Sequence, residues 1–326
     1  MRWWLFSHLF TKLILAMVLL CPTAGLADDF DPGWAPFVTT VSSLTTTKTI
    51  LYREFALFFP PQEEVTLRVA EAQAGAYQLR IDGELQAESA PGGWLWRAPT
   101  TAGGHRAEIV HRDGRAMRIH LIVKKPLKAV RDGHINGYRI GHYPEASKTR
   151  PAIHQPPSGL IEVTEAMVDL PVSPHFTLGQ FLCRQQPDHW PKYLVLQPAL
   201  VEKLELLLAE VNQRGIRTDS LHVMSGYRTP WYNRSLGNVP FSRHVWGAAA
   251  DIFVDTIGDG RMDDLTGNGT SDVTEARILQ RIVEETFADP PSPRLAGGLG
   301  LYGPRPHRGP FIHVDVRGKE ARWEFP

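Results

Sequence analysis

Cysteine is scarce in this chain, which has only Cys21 and Cys183 among its 326 residues. Net charge is lacking too, because 35 lysines and arginines balance 35 aspartates and glutamates. Without a basic field, a nucleic acid is not an expected partner. Composition is otherwise that of a soluble globular protein, with 43% hydrophobic and 21% charged residues. The length favours two domains and allows a buried core.

The N-terminus has the pattern of a secretory signal peptide. Arg2 and Lys12 precede an apolar run over 13–21, and small residues follow as far as Ala27. The run is too short to span a bilayer comfortably. The sequence therefore predicts a signal over 1–27, an exported protein in the periplasm or at the cell wall, and no stable membrane insertion after cleavage.

Two alternatives to a cleaved signal stay open. An uncleaved anchor could begin at Trp3, although His8 and a lysine interrupt it. A lipoprotein could be attached through Cys21, although Leu20 precedes it where a small residue is usual. After cleavage, Cys183 is the single cysteine, which excludes an internal disulfide and is more typical of a small buried group than of a nucleophile.

Periodicity divides the rest of the chain into three parts. Over 28–128, short apolar–polar alternations separated by Gly, Asp and Pro predict a small β-sandwich. Trp94 and Trp96 lie on one face of a strand in this region. They are expected to pack in the core or at the sheet edge, and a ligand-binding platform is the alternative. Residues 129–172 are Pro-rich and predict a linker, or an extended segment lying over a neighbour.

Residues 173–326 predict an α+β domain in which helices flank a short antiparallel sheet. "FTLGQFLCRQQ" indicates a short helix, and "PALVEKLELLLAEVNQRG" a long one that begins at Pro198 and ends at Gly215. "DSLHVMSGYR", "GAAADIFV" and "PFIHVDVRG" are typical of buried strands.

The stretch "SRHVWGAAADIFVD" carries the strongest chemical signal. It places His244 and Asp251 seven residues apart, and Gly247 permits a bend that brings both to one metal. A catalytic zinc usually takes three protein ligands and a water, and His313 of "FIHVDV" offers the third. The sequence therefore predicts one zinc ion.

Four ordered motifs, "SGYRTPWYN", "SRHVWGAAADI", "GGLGLYG" and "FIHVDVRG", carry a family resemblance. The chain resembles peptidase family M15, the zinc D,D-carboxypeptidases and murein endopeptidases, and most closely its exported peptidoglycan hydrolases. The resemblance covers about residues 173–323 and leaves the sandwich outside. It implies a zinc peptidase that acts on peptidoglycan stem peptides, with the ligands His244, Asp251 and His313.

The resemblance also implies that Arg228 contacts the substrate or the transition state, where a guanidinium suits a carboxylate or an oxyanion. A structural salt bridge is the alternative for Arg228. Tyr227, its neighbour, is expected to bind substrate. Ser242 is expected to orient a ligand or to bind substrate backbone.

The general base is the weak point of this resemblance. Many relatives carry a Glu three residues before the last ligand or a His two before it, where this chain has Pro310 and Phe311. Asp315 is one candidate, either as base or as the residue that fixes the His313 tautomer. His307 is the other.

An acidic, Gly-rich insert over 255–275 follows the second zinc ligand, and "VTEARILQRIVEE" after it indicates a helix. Its spacing matches a calcium loop, although Ser271 lies where an apolar residue is usual and no entering helix is evident. A second, overlapping set of candidate ligands matches the spacing of a calcium loop less well. The better set is Asp264, Thr266, Asn268, Gly269, Asp272 and Glu275, and the overlapping one Asp255, Asp259 and Asp263.

These patterns together predict an exported zinc metallopeptidase, either a D,D-carboxypeptidase or an endopeptidase. Its sandwich is expected to dock on the wall or on a partner. One alternative is a non-catalytic peptidoglycan-binding protein that retains the fold, favoured by the missing Glu or His. The other is a calcium-stabilised adhesion or scaffold module, favoured by the sandwich and the acidic insert.

Overall fold

The computed structural model describes residues 33–43, 47–70, 72–145 and 152–326. The predicted signal over 1–27 lies outside them. No helix in this part of the chain is both long and apolar enough to cross a bilayer.

The first described residues form two β-sheets, as the alternation predicts. The described strands of this region are β1 (Trp34–Ser43), β2 (Thr47–Tyr52), β3 (Glu54–Phe59), β4 (Glu64–Val69), β5 (Tyr77–Ile81), β6 (Glu84–Gln86), β7 (Gly93–Arg97), β8 (Gly103–His111) and β9 (Ala116–Val123). Their spatial orders are β2-β1-β4-β7 and β3-β9-β8-β5-β6, and β3 and β9 run parallel.

The two sheets pack face to face through apolar side chains. The ring of Trp96 on β7 lies edge-on to Phe59 on β3, with 6.2 Å between centroids. Trp94 and Trp96 are 1% and 9% exposed, so they are core residues rather than a ligand platform. Burying such rings supplies much of the stability of a small sandwich.

The Pro-rich region is packed against the domains on either side of it. Tyr138, Ile140 and Leu160 are fully buried, so the described parts of this region, 129–145 and 152–172, lie over their neighbours and do not form a free tether. The strands in and around this region are β10 (Lys125–Pro126), β11 (His134–Ile135), β12 (Tyr138–Arg139), β13 (Gly159–Val163), β14 (Pro171–Ser173), β15 (Phe176–Thr177) and β16 (Lys192–Leu194). β13 pairs with both β10 and β16.

The C-terminal domain contains a five-stranded sheet. Its strands are β17 (His222–Ser225), β18 (Ala249–Phe253), β19 (Gly298–Tyr302), β20 (Phe311–Asp315) and β21 (Ala321–Phe325). Their spatial order is β17-β18-β20-β19-β21. All neighbours are antiparallel except β19 and β21, which are parallel, so the predicted antiparallel sheet has one exception.

Helices flank this sheet. The α-helices of the described chain are α1 (Pro198–Gln213), α2 (Pro230–Ser235) and α3 (Val273–Thr286). Single 3₁₀ turns span Leu127–Ala129, Ala152–His154, Glu165–Met167, Leu178–Phe181, Arg243–Trp246 and Pro293–Leu295. The short helix predicted in "FTLGQFLCRQQ" is thus one 3₁₀ turn.

The helix boundaries follow ordinary capping chemistry. α1 starts at Pro198, whose missing N–H would have no partner in a first turn, and Gly215 follows its end with φ of +87°. α3 starts from a capping box, in which Asp272 accepts from the Thr274 N–H and Glu275 accepts from the Asp272 N–H.

A buried ionic junction connects the sandwich to the C-terminal domain. Lys48 on β2 donates to Glu202 on α1 at 2.9 Å, and Arg294 donates to both oxygens of Glu202 at 2.8 Å. Lys48 and Glu202 are 7% and 3% exposed. The apolar side chains on both sides of the junction belong to one continuous core.

Candidate metal centre and cleft

A turn and two paired strands bring the three predicted ligands together. His244 lies in the 3₁₀ turn Arg243–Trp246, and Gly247 ends that turn with φ of +60°. A side chain at Gly247 would collide with the Val195 carbonyl, so both conformation and space require glycine. Asp251 on β18 pairs directly with His313 on β20, which places these two side chains on one sheet face.

The three side chains form a compact, buried group. His244 Nε2 lies 3.2 Å from Asp251 Oδ1 and 3.2 Å from His313 Nδ1, and His313 Nδ1 lies 2.9 Å from Asp251 Oδ1. Ligand atoms around a tetrahedral zinc ion at its usual bond lengths are about 3.3 Å apart. The donor set and its spacing therefore fit a zinc ion held by all three residues.

Each of the three side chains is fixed from behind by a further contact. The His244 Nδ1 donates to the Gly226 carbonyl at 2.7 Å, which leaves Nε2 for a metal. His313 Nε2 lies 3.1 Å from Asp315 Oδ2, and Arg228 Nη2 donates to Asp251 Oδ2 at 2.5 Å. Such contacts set the tautomer and the orientation of metal ligands.

The charges in this group are strongly coupled. Burial alone would raise the pKa of Asp251, but His244, His313 and Arg228 together hold it well below its usual range. Burial lowers the pKa of His244. Burial also opposes the charged form of His313, yet its contacts with Asp251 and Asp315 raise its pKa. The cluster therefore contains an ionised carboxylate that favours a cation.

The three side chains lie at a cleft of about 890 Å³, which is also lined by several residues that the sequence predicted to belong to the site. Arg228 and Ser242 line this cleft, and so does His307 in an exposed loop. Arg228 also forms a salt bridge with Asp251, which is the structural alternative that the sequence left open. Its contact with substrate stays a prediction.

Asp315 does not line the cleft. It is fully buried, it contacts His313, and it accepts bonds from the Gly298 N–H at 2.8 Å and from the Arg317 guanidinium. Of the two roles considered for Asp315, the geometry favours fixing the His313 tautomer over acting as base.

Tyr227 requires a correction. It is 1% exposed, its hydroxyl lies 2.8 Å from that of Tyr143, and it is absent from the cleft lining. The prediction that Tyr227 binds substrate is therefore wrong, because its ring packs into the core. Cys183 is 2% exposed and burial raises the pKa of its thiol, as expected for a buried apolar group.

Tyr302, Trp323 and His154 are among the cleft residues that the sequence reasoning missed. Tyr302 and Trp323 line the cleft from β19 and β21, and the Trp323 Nε1–H donates to the Tyr302 hydroxyl at 2.9 Å. A side chain at Gly300 would collide with the Trp323 ring, so the alternating small residues of "GGLGLYG" were the available signal. His154 reaches the cleft from the Pro-rich region, for which the sequence carries no signal.

The predicted calcium set is not supported. Asp264 accepts from the backbone N–H groups of Gly267 and Gly269, at 2.8 and 2.6 Å. Glu275 is fully buried and accepts from the Thr266 hydroxyl and the Asp272 N–H. Within the described ranges, His244, Asp251 and His313 are the only three acidic, His or Cys side chains whose ligand atoms lie close enough together to hold one metal ion.

Comparison with known proteins agrees with the resemblance. Residues 174–269 match the family model described as Peptidase M15, which confirms it for that stretch of the C-terminal half. Two of the three ligands fall inside the match, and His313 lies beyond it. A search of curated proteins finds no match.

Among solved structures, the chain is similar to the fibronectin(III)-like modules of Clostridium thermocellum CbhA. The identity is 16%, the TM-score is 0.17, and the alignment covers 26% of this chain and 94% of the module. A TM-score this low supports no statement about the fold.

Proposed function

We propose that this chain is an exported zinc metallopeptidase that hydrolyses peptidoglycan stem peptides or their cross-links. The observation that carries the proposal is the buried group of His244, Asp251 and His313, with ligand atoms 2.9–3.2 Å apart at the floor of an open cleft. The match to peptidase M15 supports the peptidase class. The peptidoglycan substrate and export rest on the sequence motifs and the N-terminal pattern.

His244, Asp251 and His313 would hold a zinc ion, which would supply Lewis acidity towards a scissile carbonyl and a water. Arg228 is held by Asp251 and by the Ser225 hydroxyl, which accepts from its Nε at 2.8 Å. Its guanidinium is thus fixed at the cleft, where it can bind the terminal carboxylate of a peptide.

Tyr302 is suited to stabilise the developing oxyanion. Burial raises the pKa of Tyr302, so its hydroxyl stays protonated near neutral pH. The bond from Trp323 satisfies an acceptor lone pair of that hydroxyl and leaves its proton free to donate. A donor already in place costs no reorganisation when the substrate reacts.

The proton transfer needs a group that reaches the cleft. We assign it to His307, because His307 lines the cleft and Asp315 does not. In this assignment Asp315 is a positioning residue that acts through His313. The sandwich, which lies outside the family match, would dock the enzyme on the wall or on a partner protein.

The test compares zinc content and cleavage for the mature chain, a His244→Ala variant and a His134→Ala control. His134 is exposed and lies outside the cleft, so its removal matches the substitution without touching the site. Each protein is analysed for metal and then incubated with purified muropeptides, whose products are identified by mass spectrometry.

One zinc per chain, lost together with cleavage in His244→Ala but kept in His134→Ala, would establish the metallopeptidase. The product masses would name the bond. Zinc without cleavage in the wild type would favour the non-catalytic peptidoglycan-binding alternative. A folded wild-type chain that binds no zinc would refute the proposal.

A further inference from the structure

The cleft has more positive than negative side chains. Its lining contains one carboxylate, Asp251, which is already bonded to Arg228. A second carboxylate, Asp315, is buried behind the lining and is paired with Arg317. The cationic side chains of the lining are Arg228, Arg243, Arg308, Arg317 and Lys319. A cleft with this balance of charge attracts an anionic ligand.

Arg308 is the arginine of this lining that has donors available to a ligand. It is partly exposed, and its Nη1 donates to the Gly303 carbonyl at 2.7 Å and to the Gly309 carbonyl at 3.3 Å. Within the described part of the chain, its guanidinium has no carboxylate partner, and its Nε and Nη2 have no hydrogen-bond partner. Neither of these two atoms is shut off from solvent, so an incoming anion can reach both.

The Arg308 guanidinium is held in place although it is partly exposed. It packs over the Phe311 ring, 4.6 Å from its centroid, and over the Tyr302 ring at 5.8 Å. These two rings are stacked, with 4.6 Å between their centroids. Packing on the rings and the bond to the Gly303 carbonyl restrict the side chain before any ligand arrives. Such a guanidinium loses little conformational entropy on binding, unlike the exposed Lys319.

The charges around Arg308 leave it short of negative charge. Burial and the like charge of Arg305 lower the pKa of Arg308, and the attraction of Asp251 offsets this only in part. The Asp251 carboxylate is itself shared between Arg228 and the two histidines of the metal centre. An anion that binds Arg308 from the cleft would therefore supply charge that the described chain does not.

Arg308 and Arg228 lie on different sides of the metal centre. Arg228 bonds to Ser225 on β17, whereas Arg308 packs over side chains of β19 and β20. In the sheet, β17 borders the strand of Asp251, and β19 borders the strand of His313 on its other side. If Arg228 binds the terminal carboxylate of a peptide whose scissile bond lies at the metal, the acyl part of that peptide extends towards Arg308.

We propose that Arg308 is a specificity-determining residue that binds a side carboxylate on the acyl part of the peptide substrate. Its Nε and Nη2 form one edge of the guanidinium, which matches the two oxygens of a carboxylate. Because the guanidinium lies over the Tyr302 ring, it is within about two residues of an extended peptide from the reacting carbonyl. The cleft therefore selects peptides that carry an acid shortly before the scissile bond.

This inference rests on the proposed function, and its test measures binding so that turnover is not required. The ligands are L-Ala-γ-D-Glu-meso-diaminopimelyl-D-Ala and two forms of it, one amidated at the glutamate α-carboxyl and one at the side carboxyl of diaminopimelate. Isothermal titration calorimetry with the zinc-loaded protein gives three Kd values. The variant is Arg308→Gln. The matched control is Arg305→Gln, which removes an exposed arginine of the same turn that does not line the cleft.

In the wild type, one amidated form should bind about tenfold or more weakly than the free acid, and its identity names the carboxylate that Arg308 binds. Arg308→Gln should abolish that difference, whereas Arg305→Gln should keep it. Arg308→Lys, which retains the charge if Arg308→Gln disturbs the turn, should reduce the difference because a point charge cannot form the two-bond fork.

The assignment is refuted if the wild type binds the three ligands equally or not at all, if the difference survives in Arg308→Gln, or if Arg305→Gln also abolishes it. A purely structural role of Arg308 would weaken all three ligands in proportion and leave the difference intact. Failure of the proposed function would appear separately, as zinc-loaded wild type that cleaves no muropeptide.

Discussion

Asp315→Asn is the most informative single change at the metal centre. The substitution keeps the shape and an acceptor for the Gly298 N–H, but removes the charge that faces His313 Nε2 at 3.1 Å. Loss of such a partner typically weakens metal binding by 10–100-fold, or about 1.4–2.8 kcal/mol. We therefore expect the zinc Kd, measured by competition with a chromophoric chelator, to rise by about that factor.

The kinetic result separates the two roles considered for Asp315. A positioning residue should leave kcat of the zinc-saturated variant within about tenfold of wild type, whereas loss of a general base costs about 10²–10⁴-fold. His307→Gln is the matched comparison and should show the reverse pattern, with zinc affinity kept and kcat lost. An unchanged zinc Kd with a collapsed kcat in Asp315→Asn would overturn our reasoning and restore Asp315 as the base.

Three further outcomes are expected. Tyr302→Phe should lower kcat about a hundredfold with little change in KM, and equal activity in initial-rate assays would remove Tyr302 from the reaction. Gly247→Ala should cost more than about 2 kcal/mol in urea unfolding, because φ is +60° and the Val195 carbonyl blocks the side chain. The His120 contact and Arg118 lower the pKa of Glu54 from 4.5 to about 2. The ionised Glu54 therefore contributes stability above pH 4.5, and this contribution is lost as the pH falls through about 2. In urea unfolding, the free energy of unfolding of Glu54→Gln should lie about 2 kcal/mol below that of the wild type at pH 7, and the difference should vanish near pH 2.

The cluster of candidate metal ligands could be predicted because its signal is local and chemical. His244, Asp251 and His313 are unusual residue types in small-residue or apolar strands, and a Gly permits the bend between two of them. The alternation of the sandwich strands was equally readable, because one face of each strand is buried and the other is not.

The cleft walls could not be predicted, because they depend on long-range packing. Nothing near His154 in the sequence indicates that a Pro-rich segment reaches the metal site. Tyr227 shows the opposite error, since its neighbour Arg228 faces the cleft while its own ring turns into the core. In the insert, the calcium-like spacing finds no support in the structure, where Asp264 accepts from the backbone of a turn and Glu275 from the N-cap of a helix.

The junction of Lys48 with Glu202 and Arg294 has a mechanical consequence. Because one core continues through it, the sandwich and the C-terminal domain should unfold together in a single transition. If the sandwich binds the cell wall, the distance from its binding surface to the cleft is constant. The cleft would then reach only those peptide bonds that lie at one fixed distance from the point of attachment.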